Sequence, residues 1–354
     1  MARLPDVVLT LVTLAAATVC GFAFHALQLP LAFILGSMLG SGLVANLLTR
    51  MHGGHMMRRG GQLIVGASIG AVMHPQVIVE LVGLLPLMVG VALASNLMGL
   101  ALALPIAWVA GTDRATAVLA CLPAGMSEMA TLARELGRDE QAVATIHTLR
   151  VIMILSFVAF WLELTAPTPV ATAVVSTPAE PPYVLFAMVV VAGLFAAVAT
   201  RLRVTNAWAI APMLLGLLIA AAGFTIPAMP QPVLVAAQIA IGASLGLRFR
   251  VDQFRRLPRV AFAGVLSGLA LIATAFLGLS WMLERLSALD HASAMLAVAP
   301  GGLGEMIAAA TTLGLLAATI AGFQITRSLM TNLFAPPLIR WAVGRRPEGP
   351  APVS

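Results

Sequence analysis

Two glutamates occur in otherwise apolar stretches, and each follows a proline and one or two glycines. Glu128 lies in Leu119-Ala-Cys-Leu-Pro-Ala-Gly-Met-Ser-Glu-Met129, and Glu305 lies in Leu296-Ala-Val-Ala-Pro-Gly-Gly-Leu-Gly-Glu-Met306. A carboxyl group in a medium of low dielectric can exchange a proton near neutral pH, and such groups mark ion pathways in membranes. Glu128 and Glu305 are therefore candidates for proton or cation coupling.

The residues before each glutamate should break a helix, because proline lacks a backbone donor and glycine lacks a Cβ. A new half-helix then begins with its amide donors and positive dipole end exposed, which favours anions or carboxylates. The alternative is that Ser127, Glu128 and Glu305 only cap these half-helices. The candidate binding residues at the two tips are Pro123, Gly125, Ser127, Glu128, Pro300, Gly301, Gly302 and Glu305.

An arginine follows each glutamate at the same distance. Arg150 and Arg327 each lie 22 residues beyond their glutamate, inside an apolar run. An arginine at that depth is costly unless it is paired. It could form a structural pair with the glutamate of its own half, a pair across the halves, or a contact to an anionic solute. The sequence leaves these alternatives open.

The composition defines the class of protein that must position these residues. The chain has 354 residues, of which 60% are hydrophobic and 10% charged, with a mean hydropathy of +1.00. Unbroken apolar runs predict an all-α polytopic membrane protein embedded in a lipid bilayer. The net charge of +6 comes from arginines between these runs, so we expect no nucleic-acid partner. The sequence contains no constellation typical of a catalytic, metal or cofactor site.

The chain contains an internal duplication. Gln62-Leu-Ile-Val-Gly-Ala-Ser-Ile-Gly70 matches Gln238-Ile-Ala-Ile-Gly-Ala-Ser-Leu-Gly246 at a shift of 176, and the two glutamate motifs match at 177. We expect repeat 1 over residues 1–163, an extracytoplasmic linker over 164–182, repeat 2 over 183–342 and a cytoplasmic tail over 343–354.

Ten spans are predicted, five in each half. They lie near 7–25, 31–49, 61–77, 81–109 and 142–163, then near 183–200, 206–222, 233–248, 260–283 and 316–340, with broken segments near 114–136 and 292–313.

Arginine placement favours hairpins over full crossings for the broken segments. If each broken segment turns back, the basic clusters at 50–59, 201–203 and 248–259 all face the cytoplasm, with both termini. Arg285 is the exception. An odd number of spans makes the halves inverted repeats, whose re-entrant hairpins can meet near the midplane. Inverted repeats with broken helices are typical of secondary transporters.

The paired motifs, with Arg150 and Arg327 downstream, resemble the AbrB-duplication family of bacterial inner-membrane proteins. The resemblance extends over essentially the whole chain and implies an inner-membrane location. Family labels include membrane regulator of gene expression and ammonia monooxygenase. The second label is disfavoured because the sequence lacks a metal-ligand constellation.

The sequence therefore predicts a secondary transporter of a small solute, coupled to an ion through Glu128 and Glu305, rather than an enzyme. Arg150 and Arg327 would be partners of the glutamates or solute contacts. The alternative is a membrane-bound regulator or small-molecule sensor. Assembly into a homo-oligomer is compatible with either function.

Overall fold

A computed structural model describes residues 6–48, 54–165, 182–224 and 226–343. These residues form helices and short connections, with no strand among them. The chain is thus an all-α polytopic membrane protein, as predicted. Most of the predicted linker 164–182 and of the predicted tail 343–354 lies outside the described residues.

The first half contains a helix at each predicted span and two short helices in its broken segment. Its helices are α1 Asp6–Ala26, α2 Ala32–Leu47, α3 Gly54–Ala71, α4 Pro75–Ala110, α5 Arg114–Cys121, α6 Met126–Glu135 and α7 Glu140–Thr165. Two boundaries were placed too late, because α3 begins seven residues before the predicted 61 and α4 six before 81. The early start of α3 places Arg58 within a helix instead of a loop.

The second half follows the same order. Its helices are α8 Pro182–Arg201, α9 Ala207–Ala221, α10 Gln231–Gly246, α11 Val251–Arg256, α12 Pro258–Ala273, α13 Ser280–Leu286, α14 His291–Val298, α15 Leu303–Thr312 and α16 Ala317–Val343. A π-helical segment, Thr274–Leu279, joins α12 to α13. The three elements form one continuous helical stretch, which is the second-half equivalent of α4.

The most apolar helices face outward. Six helical stretches are long and apolar enough to cross a membrane, among them Val7–Ala26 and Pro75–Ala110, and only 17% of the apolar window is buried in each of these two. Water would not tolerate so much exposed apolar surface, whereas hydrocarbon covers it without cost. Glu140–Leu162 is 61% buried and lies inside the bundle.

The two halves contact each other through reciprocal helix crossings. Helix α2 packs on α10 of the other half, and α9 packs on α3. A Cβ added at Gly66 would collide with the backbone of Ala209, and one added at Gly242 would collide with the backbone of Ile34. Gly66 and Gly242 are equivalent at the shift of 176, so the same glycine permits close backbone approach in both crossings.

The other large helices pair in the same reciprocal way. Helix α4 packs on α16 and α7 on α12, while the broken segments α5–α6 and α14–α15 pack on α7 and α16 respectively. Left-handed residues before α2 and α9 also recur, at a shift of 175: Gln28 corresponds to Arg203, and Leu31, at φ 52°, corresponds to Asn206, at φ 50°. These correspondences support the duplication. The opposite orientation of the halves in a membrane stays a prediction.

Candidate functional site at the two hairpin tips

The first broken segment turns back on itself. Arg138, just after α6, forms an ion pair of 3.3 Å with Asp113, just before α5. The backbone amide of Asp139 also donates to the hydroxyl of Thr116. Both ends of the α5–α6 segment therefore lie at one side, which is the geometry of a hairpin. In the other half, α14 and α15 contact each other and pack together on α16.

A proline forms each hairpin tip. The backbone amide of Ala124 donates to the carbonyl of Leu122 across Pro123, at 2.9 Å. The amide of Gly301 donates to the carbonyl of Ala299 across Pro300, at 2.8 Å. Such three-residue turns suit proline, whose ring fixes φ near the required value. Pro123 and Pro300 therefore make the turn that separates the half-helices.

The buried arginines do not pair with the glutamates. The Arg150 guanidinium donates to backbone carbonyls at the end of α5, including Leu122 at 3.2 Å, and Arg327 donates to Val298, Ala299 and Gly301 at the end of α14. These carbonyls lack intrahelical partners, and a cation also complements the negative end of a helix dipole. Among the alternatives, the glutamate pair is therefore wrong in this structure, and the arginines brace the hairpins.

One further residue in each half completes this brace. His147 accepts from Arg150 through Nδ1 and donates through Nε2 to the carbonyl of Leu119. At the equivalent position, Gln324 accepts from Arg327 and donates to the carbonyl of Leu296. Histidine and glutamine make equivalent hydrogen bonds here, so His147 is a hydrogen-bonded packing residue.

Glu128 contacts two amides of the other half. Its Oε1 accepts from Asn206 Nδ2 at 2.8 Å, and its Oε2 accepts from Asn332 Nδ2 at 3.1 Å. The carboxylate folds back over the helix start, where a Cβ at Gly125 would lie 3.1 Å from its Cδ. Glycine at this tip therefore leaves room for the carboxylate.

Glu305 contacts a cation. Its Oε1 lies 3.4 Å from Nη2 of Arg58, and its Oε2 is buried without a hydrogen-bond partner. A Cβ at Gly302 would displace this carboxylate, so glycine at the second tip also leaves room for it. Arg58 reaches the first tip too, with Nη1 3.5 Å from the hydroxyl of Ser127. One arginine thus links both hairpins.

A small cavity lies where the tips and Arg58 meet. It has a volume of about 20 Å³ and is lined by Arg58, Arg248, Ala124, Gly302 and Glu305, with apolar side chains of α7 and α10. Space of this size holds about one water molecule. The positive ends of α6 and α15 and two guanidinium groups surround it, with one carboxylate as partial compensation.

The partners of the two glutamates are not among the site residues predicted from the sequence. Arg58 was taken as a topology-determining loop charge, although its position four residues before Gln62 places both on one helix face. Asn206 and Asn332 carry a signal that could have been read, because the first repeat has leucine at both equivalent positions, Leu31 and Leu155. Gln62 itself packs against Gly304 with its Nε2 unpaired.

Among the described residues, no group of three or more His, Cys, Asp or Glu side chains is arranged to hold a metal ion. The hairpin tips instead offer hydrogen-bond donors and buried charges. Such an arrangement can bind an anion and hold a carboxyl group in contact with neutral amides.

Known proteins share this sequence pattern over most of its length. A sequence model described as "Transition state regulatory protein AbrB" matches residues 33–343. The chain is 24% identical over 325 residues to an Escherichia coli (strain K12) protein named "Putative regulator AbrB", covering 90% of this chain and 92% of that protein. It is also 24% identical over 300 residues to the Bacillus subtilis (strain 168) protein YhjN, covering 79% of this chain and 77% of YhjN. Since the family pattern spans both hairpins and every helix from α2 to α16, the chain belongs to the AbrB family of membrane proteins.

Proposed function

We propose that this protein is a secondary transporter of a small solute, with Glu128 as the residue that exchanges the coupling proton. The observation that carries the proposal is the contact of Glu128 with Asn206 and Asn332 at the meeting point of two broken helices. Discontinuous helices in duplicated membrane proteins form the solute and ion sites of carriers.

The partners of Glu128 suit both protonation states of its carboxyl group. A carboxamide carries two N–H donors and one carbonyl acceptor. Asn206 and Asn332 donate to the ionised carboxylate, and rotation of either amide would present an oxygen to the protonated acid. Proton loss and gain at Glu128 therefore leave no buried polar atom unsatisfied, which is a requirement for a residue that must change charge during each cycle.

The partner of Glu305 suits one protonation state only. A guanidinium group has donors and no acceptor, and it stays protonated in proteins. Protonation of Glu305 would leave Arg58 as a buried charge without compensation, which is strongly destabilising. From the sequence, both glutamates were candidates for proton or cation coupling. The geometry favours Glu128 as the exchanging residue and Glu305 as a fixed charge.

Reconstitution into liposomes tests this assignment with two matched variants. A panel of labelled small metabolites is screened for uptake driven by an inward proton gradient. For a transported solute, Glu128→Gln should abolish uphill uptake while solute exchange down its own gradient persists, because the variant mimics the protonated state. Glu305→Gln should reduce both activities and the stability of the protein. Equal effects of the two substitutions, or uphill uptake by Glu128→Gln, would contradict the assignment.

The name of the Escherichia coli relative, which calls that protein a regulator, suggests a second candidate function. A membrane-bound regulator would bind a small molecule at the tips without moving it. Liposomes separate the two functions. Saturable binding to the purified protein, with no flux under proton, sodium or solute gradients, would favour the regulator and exclude the carrier.

A further inference from the structure

Arg58 and Arg248, two of the four arginines around the tips, make only long or weak hydrogen-bond contacts. Arg150 and Arg327 each donate to several backbone carbonyls, whereas Arg58 makes only long contacts of 3.4 and 3.5 Å in this structure. Charge-assisted bonds from a guanidinium group normally measure about 2.7–2.9 Å. Arg58 is only 8% exposed, and its Nε has no hydrogen-bond partner, as is also true of the Nε atoms of Arg150 and Arg327. Burying a guanidinium group that has only long contacts is unfavourable, and a ligand that accepts hydrogen bonds from it would offset this cost.

Arg248 faces the same cavity from the other half. It follows α10, and its Nη1 lies 3.7 Å from the sulfur of Met126, which is a weak acceptor. It is close enough to Arg58 and Glu305 to interact electrostatically with both. Glu305 offsets only one of these two like charges, so the guanidinium groups still repel one another unless a second anion lies between them.

Neither Arg58 nor Arg248 has an arginine at the equivalent position of the other repeat. The positions equivalent to Arg58 and Arg248 at the shift of 176 are Leu234 and Val72. A purely structural role in the helix crossings would be required in both halves, as it is for Gly66 and Gly242. The two cations instead converge on one cavity, together with the start of α15 at Gly302.

The charges and the lining define the class of ligand. Arg58 and Arg248 oppose one carboxylate, Glu305, so the cavity has one net positive charge when Glu128 is protonated. The charged group acting on Glu128 is Arg58, since Asn206 and Asn332 are neutral. The cavity wall also includes the apolar side chains of Val151, Ile152 and Leu245. A planar monoanion with an apolar tail matches both features, and guanidinium groups bind carboxylates in a bidentate manner.

The cavity in this structure holds about one water molecule, so a larger ligand requires the hairpin tips to move apart. We propose that the cavity, once widened in this way, binds the carboxylate of a small organic acid through Arg58 and Arg248. The inference rests on the proposed carrier function, for which it names the class of solute. A monocarboxylate and the proton on Glu128 would then enter together, because each offsets the charge that the other introduces.

Binding to purified protein in detergent tests the site without any requirement for transport. The probes are a series of linear monocarboxylates, their neutral amides and inorganic phosphate, measured by calorimetry and by thermal shift. Carboxylates should bind and the amides should not. Arg58→Gln and Arg248→Gln should each weaken carboxylate binding at least tenfold.

The chain offers a neighbouring control for each arginine. Arg59 stacks over the ring of Trp208, and Arg250 pairs with Asp252, both away from the cavity. Arg59→Gln and Arg250→Gln should leave the affinity within about twofold. Because Arg58→Gln alone leaves Glu305 unpaired, the double variant Arg58→Gln/Glu305→Gln removes both charges, and it should fold yet fail to bind.

Equal binding of amides and carboxylates, binding of phosphate alone, or wild-type affinity in the double variant would overturn the assignment of the site. Failure of the carrier function has a different signature. Carboxylates would then bind in the predicted, arginine-dependent manner while no gradient drives their uptake into liposomes. Proton-coupled uptake of another solute, with no carboxylate binding, would remove this inference and leave the carrier.

Discussion

At the scale of single residues, the two glutamates show how a duplicated motif acquires two different roles. Glu128 and Glu305 are equivalent in sequence, yet one contacts carboxamides and the other a guanidinium group. The difference lies in residues outside the motif. Asn206 and Asn332 replace the leucines of the first repeat, and Arg58 replaces a leucine of the second. The left-handed backbone does not require Asn206, because Leu31 adopts the same conformation.

Asn332→Leu tests this division by restoring the residue type of the first repeat. Without the Asn332 amide, Oε2 of Glu128 loses its donor, and an unsatisfied buried acceptor costs about 1–3 kcal/mol. We expect proton-driven uptake to fall at least tenfold, with a smaller effect on solute exchange in liposomes. Asn96→Leu is the matched control, because that amide donates only to Ala92 of its own helix. Similar losses of coupled uptake in both variants would contradict the role of Asn332.

How well each part of the site could be predicted depends on how far apart in the sequence the interacting residues lie. The Pro-Gly tips and their glutamates are local patterns, so the sequence located both helix breaks within a few residues. The contacts of Arg150 and Arg327 were not predictable, because a buried arginine satisfies its donors equally well with carbonyls or a carboxylate. The partners of Glu128 are 78 and 204 residues away in the chain, and no periodicity specifies such pairs.

At the scale of elements, an aspartate caps the first half-helix of each broken segment. Asp113 accepts from the backbone amides of Ala115 and Thr116 at 3.1 Å, and Asp290 accepts from Ser293. Burial by itself raises the pKa of the Asp113 carboxyl, but hydrogen bonds from Thr116 and the charge of Arg138 outweigh it, so this pKa lies below its usual value. The ionised carboxylate therefore stabilises the first hairpin at neutral pH.

Asp113→Ala should lower the stability of the detergent-solubilised protein by about 0.5–2 kcal/mol at pH 7. Because the folded-state pKa is depressed, this contribution is fully present above the unfolded-state pKa near 3.8 and is lost as the pH falls through the lower folded-state value. The difference in melting temperature between wild type and variant should therefore shrink below about pH 4. Asp290→Ala, which removes fewer hydrogen bonds, should cost less at pH 7. A difference that grows on acidification would refute the capping role of Asp113.

Element boundaries were less predictable than element types. The start of α3 was placed too late because His55, Arg58 and Arg59 read as a basic loop. Their helix is stabilised by tertiary contacts, including packing on α9 and α10 and the ion pair of Arg58 with Glu305. A window of hydropathy contains none of that information, since polar residues at a helix–helix contact lower its score.

At the scale of the whole molecule, glycine crossings determine how the halves join. Gly66→Ala places a methyl group against the carbonyl of Ala209, and this neighbour is backbone that cannot move aside. We expect a loss of about 1–3 kcal/mol, seen as a lower melting temperature. Gly83→Ala is the control, because a Cβ there meets nothing within 4 Å and alanine is the better helix former. Equal stability of the two variants would exclude close packing at Gly66.

These crossings have a consequence for the movements that the proposed transport cycle would require. Where backbones touch, no layer of adaptable side chains remains to slide, so α2, α3, α9 and α10 should travel as one rigid frame. The faces of Gly268 and Gly322 contact the flexible thioethers of Met153 and Met88 instead. Opening toward either side of the bilayer would then take place by repacking of methionines around the hairpins, while the frame carrying Arg58 keeps its shape.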